Sequence, residues 1–165
     1  MPTLSRFLKA IRIGSGLLML ACAAAMTGAV MAHGNLTPQP VDTHTLPQLG
    51  SDWLKDNPYS TGGAQQEAIR VGSSGFNQNC ARCHGLEAIS GGIAPDLRKL
   101  DAECFDMQDD ARTNCLKDFE AYFIKTVRGG RTRDGRVYMP PFEGILSQEA
   151  LWAIKTYLES RRAAS

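Results

Sequence analysis

Three stretches of the chain place apolar residues in steps of three and four, the spacing of one helix face. The first stretch holds Ile69, Gly72, Phe76 and Cys80. The second holds Leu116, Phe119, Phe123 and Val127, ahead of the helix-stopping pair Gly129-Gly130. The third holds Leu151, Ile154 and Leu158, with Trp152 and Tyr157 beside them and Ser147 as an N-cap. We therefore predict an all-α domain with three main helices and no paired strands.

The first 32 residues have the pattern of a secretory signal peptide. They begin with three basic residues and no acidic one, namely Arg6, Lys9 and Arg12, and an alanine-rich apolar run follows at 13–30. Val30-Met31-Ala32 offers small residues at a cleavage site, so we expect His33 to begin the exported chain. Two alternatives stay open. The run is about long enough to span a bilayer as an uncleaved anchor, and Cys22 offers a poor site for lipid attachment.

Residues 33–64 are rich in Pro, Thr, Gly and Asn, which predicts an extended N-terminal arm without regular structure. Trp53 and Leu54 are the candidates for attaching this arm to the domain that follows. Loss of the signal would leave 133 residues, enough for one domain. The sequence thus divides into a signal peptide at 1–32, an arm at 33–64 and one domain at 65–165.

The segment Cys80-Ala81-Arg82-Cys83-His84 has the spacing C-x-x-C-H, which is typical of covalent haem attachment. Each thiol can form a thioether to a haem vinyl group, and the imidazole of His84 can ligate the iron. The alternatives are a zinc site and a redox dithiol. Zinc normally needs a second ligand pair at similar spacing, and the sequence has none. We predict one covalently bound haem c per chain, held by Cys80 and Cys83, with His84 as an axial ligand.

The other axial ligand decides the chemistry, because a thioether favours reduced iron and suits electron transfer, whereas an open position suits oxygen or gas chemistry. Met139 precedes Pro140 and Pro141, which stiffen the backbone after it. Met107 lies in an acidic segment that we expect to be exposed. His33 and His44 are weaker candidates because they lie in the arm. We therefore predict Met139 as the second ligand.

Two further cysteines, Cys104 and Cys115, remain after Cys22 leaves with the signal and the haem uses Cys80 and Cys83. In an oxidising compartment they are expected to form a disulfide. The closed loop is about a dozen residues long, for which the chain-entropy model gives roughly 3 kcal/mol. Two free buried thiols are the alternative.

The charge balance limits the partners. The signal takes three of the 18 basic residues and none of the 17 acidic ones, so the exported chain carries a net charge of −2. That net charge disfavours nucleic acid as a partner and permits docking to an oppositely charged protein.

Four arginines cluster before Met139, at Arg128, Arg131, Arg133 and Arg136. They are interpreted as hydrogen-bond donors to haem propionates, as a docking patch, or as a solvated loop.

The order of helix, C-x-x-C-H, proline loop, helix, Met-Pro-Pro-Phe and helix resembles that of class I c-type cytochromes over residues 65–162. The resemblance implies three main helices and loops wrapped around one covalent haem. It also implies that Pro95 accepts a hydrogen bond from His84 through its carbonyl, which fixes the ring, and that Met139 is the distal ligand. The positions matching the family's crossing terminal helices are Gly72, Phe76, Ile154 and Tyr157.

Within that family the chain resembles small periplasmic cytochromes that accept electrons from pyrroloquinoline quinone (PQQ)-dependent alcohol dehydrogenases. The residues that carry this resemblance are His33 to Gln39, Trp53 to Tyr59 and Thr126 to Gly130. It implies a monomeric periplasmic electron carrier that is not an enzyme, without stable membrane insertion. A quinoprotein alcohol dehydrogenase would be its donor, and a further cytochrome or a terminal oxidase its acceptor. The alternatives are a haem enzyme or gas sensor with a labile distal ligand, and a membrane-tethered cytochrome subunit.

Overall fold

The computed structural model describes residues 37–90, 92 and 94–162. The helices there are α1 (Gln65–Asn79), α2 (Ala81–His84), α3 (Asp109–Gly129) and α4 (Gln148–Ser160). Short 3-10 turns occupy Leu86–Ala88, Leu97–Lys99 and Ala102–Asp106, and strands β1 (Arg131–Arg133) and β2 (Arg136–Met139) form a ribbon. This mostly helical architecture fits the expected all-α class. The residues of the three apolar stripes lie in α1, α3 and α4, except Cys80, which follows the end of α1.

The predicted signal peptide and its cleavage before His33 lie outside the described residues. Within the described ranges, none of the helices combines the length and the hydrophobicity needed to span a bilayer.

The β1–β2 ribbon shows that the prediction of no paired strands was wrong. The strands are antiparallel, with Arg133 opposite Arg136. Asp134 and Gly135 connect them with φ angles of 50° and 72°. Two successive residues at positive φ give the hairpin turn whose twist matches that of the strands, and Asp-Gly is a preferred sequence for it. The pattern of apolar residues missed the ribbon because its strands are short and exposed.

Helices α1 and α4 cross at a point where neither backbone leaves room for a side chain. A Cβ atom added at Gly72 would lie 2.0 Å from the carbonyl oxygen of Ala153 and 2.9 Å from Cβ of Tyr157. One turn further along α1, the rings of Phe76 and Tyr157 pack with their centroids 5.5 Å apart. The contact therefore involves residues that the family resemblance singled out.

Helix α4 is buried on all sides, from Gln148 to Leu158. Ser147 caps its start, because the Ser147 side chain accepts a hydrogen bond from the backbone N–H of Ala150 at 3.2 Å. Complete burial of a helix that carries charged residues requires a second layer, since α1 covers only one side of it. The arm and α3 supply that layer.

The arm is attached to the domain by polar contacts to α4 and by buried apolar side chains. The backbone N–H groups of Leu49 and Leu54 donate to the side chains of Glu149 at 2.8 Å and Gln148 at 2.6 Å. Asn57 adds a side-chain bond to Thr156 at 3.0 Å. Leu46 and Tyr59 are buried in a satellite apolar cluster with Trp152. Of the two side chains predicted to attach the arm, Trp53 packs against the main core and Leu54 is 41% exposed.

A buried ion cluster fixes the end of α4 to the loop before α3. Asp101 accepts hydrogen bonds from Arg162, the shortest at 2.6 Å, and lies 3.8 Å from the Lys155 amine. Burial acts to raise the pKa of Asp101, but the hydrogen bonds and charge of Arg162 and the charge of Lys155 outweigh it and lower that pKa. Glu159 also binds Lys155, at 2.5 Å.

Nearby, a disulfide joins Cys104, which is buried, to Cys115 in the second turn of α3.

Candidate functional site

The two cysteines and the histidine of the motif are presented by a helical corner at the end of α1. Cys80 follows α1, and its backbone N–H donates to the carbonyl of Phe76 at 2.7 Å. Cys83 and His84 complete the short helix α2, where the His84 N–H donates to the Cys80 carbonyl at 3.0 Å. Both thiols are free in the chain. Burial raises the pKa of the Cys80 thiol to about 12, with a smaller effect from Cys83. Cys80 is partly buried and packs against the main apolar cluster.

The imidazole of His84 is oriented by the chain eleven residues later. Its Nδ1 lies 3.1 Å from the carbonyl oxygen of Pro95. A carbonyl only accepts hydrogen bonds, so Nδ1 carries the proton and Nε2 keeps a free lone pair for a metal. Asp96 then fixes the turn, because its carboxylate accepts from the backbone N–H of Arg98 at 3.1 Å and pairs with the Arg98 guanidinium at 2.7 Å.

Met139 is the last residue of β2, and the ribbon and α3 hold the backbone on either side of it. Across the ribbon, Met139 pairs with Arg131. After the two prolines, the backbone N–H of Phe142 donates to the Val127 carbonyl at 3.1 Å. Gly130, at φ 67°, lies against this loop so closely that a Cβ there would be 2.6 Å from the Met139 carbonyl oxygen.

A charged contact reinforces the same loop. The N–H of Glu143 donates to the carbonyl of Arg128 at 3.2 Å, and the two side chains form a bidentate ion pair, with one bond at 2.8 Å. The hydrogen bonds from Arg128 hold the pKa of Glu143 below its ordinary value. The Arg128 guanidinium also lies over the ring of Trp53, 4.2 Å from its centroid. One arginine thus joins α3, the Met139 loop and the arm.

The motif and the Met139 loop border the same apolar cluster. Cys80, Leu97, Leu100 and Met139 are partly buried at its edge. Its buried members include Phe76, Ala81, Phe123, Val127, Phe142 and Leu146. Cys80 and Met139 thus border one apolar cluster. Two thiols, an imidazole nitrogen and a thioether sulfur are the groups that a His/Met-ligated haem c uses, so the residue types present fit this group.

The rival ligands have less suitable surroundings. Met107 is 39% exposed. His44 is exposed and pairs with Asp42 at 2.6 Å, and His33 lies outside the described residues. No group of three or more His, Cys, Asp or Glu side chains able to hold a metal ion occurs in the part of the chain that the structure describes. The zinc interpretation therefore gains no support.

Sequence reasoning missed Gly130 and Glu143 as residues that hold the Met139 loop. Gly130 was interpreted only as the end of a helix, and its second contact depends on where the chain returns ten residues later. Glu143 had no local signal, although it follows Met-Pro-Pro-Phe directly. The cluster of four arginines separates in the structure: Arg128 is half-buried beneath the loop, whereas the other three belong to the exposed ribbon.

Comparison with known proteins places the site in context. Residues 67–158 match the family described as cytochrome C oxidase, cbb3-type, subunit III. The chain is 47% identical over 146 residues to cytochrome c550 of Pseudomonas aeruginosa, covering 88% of this chain and 91% of that protein. No solved structure matches the chain.

Two longer proteins of Pseudomonas putida match slightly more than half of the chain's length. Quinohemoprotein alcohol dehydrogenase ADH-IIG is 34% identical over 94 residues, which is 57% of this chain and 11% of that enzyme. Quinohemoprotein alcohol dehydrogenase ADH IIB is 32% identical over 98 residues, which is 59% of this chain and 12% of that enzyme. The similarity to these enzymes is therefore confined to a small part of each.

Proposed function

The chain belongs to the cytochrome c family, and we propose that it is a periplasmic one-electron carrier with one covalent haem c ligated by His84 and Met139. The observation that carries this proposal is the hydrogen bond from His84 Nδ1 to the Pro95 carbonyl, which leaves Nε2 free for iron. Met139 borders the same apolar cluster as the haem-binding Cys80. The similarity of the chain to cytochrome c550 supports electron transfer rather than catalysis.

In this proposal different residues of the chain attach the haem, orient His84 and support Met139. Cys80 and Cys83 form the thioethers, and Pro95 keeps the His84 ring from rotating. The ribbon, Gly130 and Phe142 hold the backbone around Met139. When bound, the haem supplies a one-electron ferric–ferrous couple. Because both ligands are fixed by backbone contacts, little reorganisation is expected when the charge changes, and thioether ligation favours the reduced state.

We propose a PQQ-dependent alcohol dehydrogenase as the electron donor and a further cytochrome or a terminal oxidase as the acceptor. The support is the similarity of 57–59% of the chain to parts of two quinohemoprotein alcohol dehydrogenases. In this proposal residues 1–32 direct export and are removed, and the carrier is a monomer without a stable membrane anchor. Cys104 and Cys115 remain bridged in that oxidising compartment.

The ligand assignment is tested with Met139→Ala and the matched control Met107→Ala. We expect the long-wavelength sulfur–iron absorption band of the ferric protein to disappear in the first variant and to persist in the second. Persistence in Met139→Ala would refute the assignment. Prompt, tight carbon monoxide binding by the ferrous wild type would instead favour a haem enzyme or gas sensor with a labile ligand.

The donor is tested by stopped-flow reduction of the purified ferric protein by a quinoprotein alcohol dehydrogenase. Rapid reduction supports the partner. If the dehydrogenase fails while other periplasmic dehydrogenases reduce the protein rapidly, the partner is wrong and the carrier function stands.

A further inference from the structure

The β1–β2 ribbon concentrates positive charge on an exposed segment. Every residue from 131 to 138 is exposed. Three arginines (Arg131, Arg133 and Arg136) and one carboxylate (Asp134) give the ribbon a net charge of +2. Residues 37–162 contain 15 basic and 17 acidic side chains, so those outside the ribbon number 12 and 16 and carry −4. The ribbon is thus a cationic segment on an otherwise anionic chain.

Two of these arginines oppose each other. Arg133 pairs with Arg136 across the ribbon, and like charges directly opposite each other destabilise a strand pair. Asp134 offers weak compensation, because it lies 3.8 Å from Arg133 and both side chains are more than 80% exposed. An anionic surface lying across this face would relieve the repulsion.

The side chains beside the arginines favour a protein as that surface. Val137 is 67% exposed and Tyr138 is 62% exposed. Arginine and tyrosine are enriched at protein interfaces and lysine is depleted, and the ribbon contains no lysine. Electrostatic binding to anionic lipid typically uses clusters of about four to eight basic residues, more than the three in the ribbon.

The ribbon also lies where an electron could enter. β2 ends at Met139, and Arg131 pairs with Met139 across the ribbon. Arg131 is itself anchored to α3, with its guanidinium 5.1 Å from the centroid of the Tyr122 ring and bonded to Thr126 at 3.0 Å. A protein that binds the ribbon is therefore brought against the loop of the proposed distal ligand.

We propose that the β1–β2 ribbon is the docking surface for an acidic face of the protein electron donor. This inference rests on the proposed function as an electron carrier and adds the place and chemistry of docking. One electron leaves the donor and enters the carrier, and no atom or covalent bond is exchanged. Charge complementarity raises the association rate, while Val137 and Tyr138 supply apolar contact.

The test compares two charge reversals of equal size. Arg133→Glu/Arg136→Glu alters the ribbon, and Lys55→Glu/Lys125→Glu alters two exposed lysines elsewhere. Reduction by a quinoprotein alcohol dehydrogenase is followed by stopped flow over a range of salt concentrations. We expect the second-order rate constant of the ribbon variant to fall at least about tenfold at low salt, with a flattened salt dependence. The lysine variant should stay within about twofold of wild type. The substituted side chains of both variants are exposed, so the sulfur–iron absorption band of each should persist.

Three results would overturn the proposal. Equal slowing of both variants would mean steering by net charge, and no slowing of either would place docking elsewhere. Binding to phosphatidylglycerol vesicles that depends on the ribbon, with dehydrogenase kinetics unchanged, would identify a membrane contact.

A wild-type protein that takes no electrons from the dehydrogenase would refute the proposed donor, not the ribbon. The ribbon is then tested by oxidising the ferrous proteins with ferricyanide and with tris-phenanthroline cobalt(III). If electrons pass near the ribbon, its variant reacts more slowly with the anionic oxidant and faster with the cationic one than the lysine variant does. Identical behaviour of the two variants overturns the inference.

Discussion

The carbonyl oxygen of Ala153 lies 2.0 Å from the position that a Cβ atom would take at Gly72. The two helices can cross at this distance only because Gly72 has no side chain. A Gly72→Ala substitution must therefore push α1 away from α4 rather than displace a flexible side chain. The added Cβ would overlap backbone atoms of Ala153. A backbone atom cannot move aside by a change of side-chain rotamer, so the helix itself must shift.

We expect Gly72→Ala to lower the free energy of unfolding by about 3 kcal/mol, at the upper end for overpacking. Gly63→Ala is the matched control, because a Cβ there has nothing within 4 Å and φ is not in the left-handed region. Urea unfolding followed by circular dichroism measures both. An equal stability of the two variants would contradict the close crossing.

Gly130→Ala is expected to loosen the Met139 loop. The substitution places a Cβ 2.6 Å from the Met139 carbonyl oxygen at a φ of 67°, so either the loop or the end of α3 must move. The ferric sulfur–iron band should weaken, and ferrous carbon monoxide binding should speed up. Gly129→Ala, which meets nothing within 4 Å, should change neither. Wild-type spectra in a stably folded Gly130→Ala protein would show that the glycine does not hold the ligand loop.

Asp101→Asn is expected to change how stability depends on pH. The pKa of Asp101 is lowered in the folded state, so its carboxylate contributes stability above its unfolded pKa of about 3.9, and this contribution is lost as the pH falls through the folded pKa. At neutral pH the variant should be less stable by roughly 2 kcal/mol. The difference from wild type should shrink in acid. A difference that is constant down to the lowest pH at which the proteins fold would contradict the role of the charge, and the exposed Asp56→Asn serves as the control.

The Cys104–Cys115 disulfide should stabilise the fold without affecting the haem site. Replacing both cysteines with alanine is expected to lower the free energy of unfolding by about 3 kcal/mol, the chain-entropy value for a loop of this size. The visible spectrum and midpoint potential should stay as in wild type, because the bridge joins the loop at 102–106 to the start of α3. A shifted potential would mean that this loop contributes to the haem environment.

The sequence was most informative where chemistry requires adjacent residues and least informative where contacts join distant ones. Cys80 to His84 indicated the cofactor because a haem fixes the spacing of its thiols and imidazole. The helices were predictable because one buried face leaves a periodic trace. The attachment of Leu49 to Glu149 leaves no such trace, since a backbone N–H can bond any acceptor that the fold brings near it. The ribbon was not predicted because an Asp-Gly pair indicates a hairpin turn only where strand patterns flank it. The strands beside Asp134-Gly135 are too short and too exposed to give such a pattern.

The contacts of α4 also have a consequence for the order in which the protein folds. Its partners in the arm and in α1 precede it by up to 100 residues in the sequence, and closing such long loops slows folding. If the chain is exported with its N-terminus first, as we propose, the central contact forms only after the last helix has followed the rest of the chain. Until then the arm and α1 lack the surface that buries them, and the thiols of Cys80 and Cys83 stay accessible. Late arrival of the C-terminal helix would thus leave an interval in which the proposed haem can be joined to an open chain before the fold closes around it.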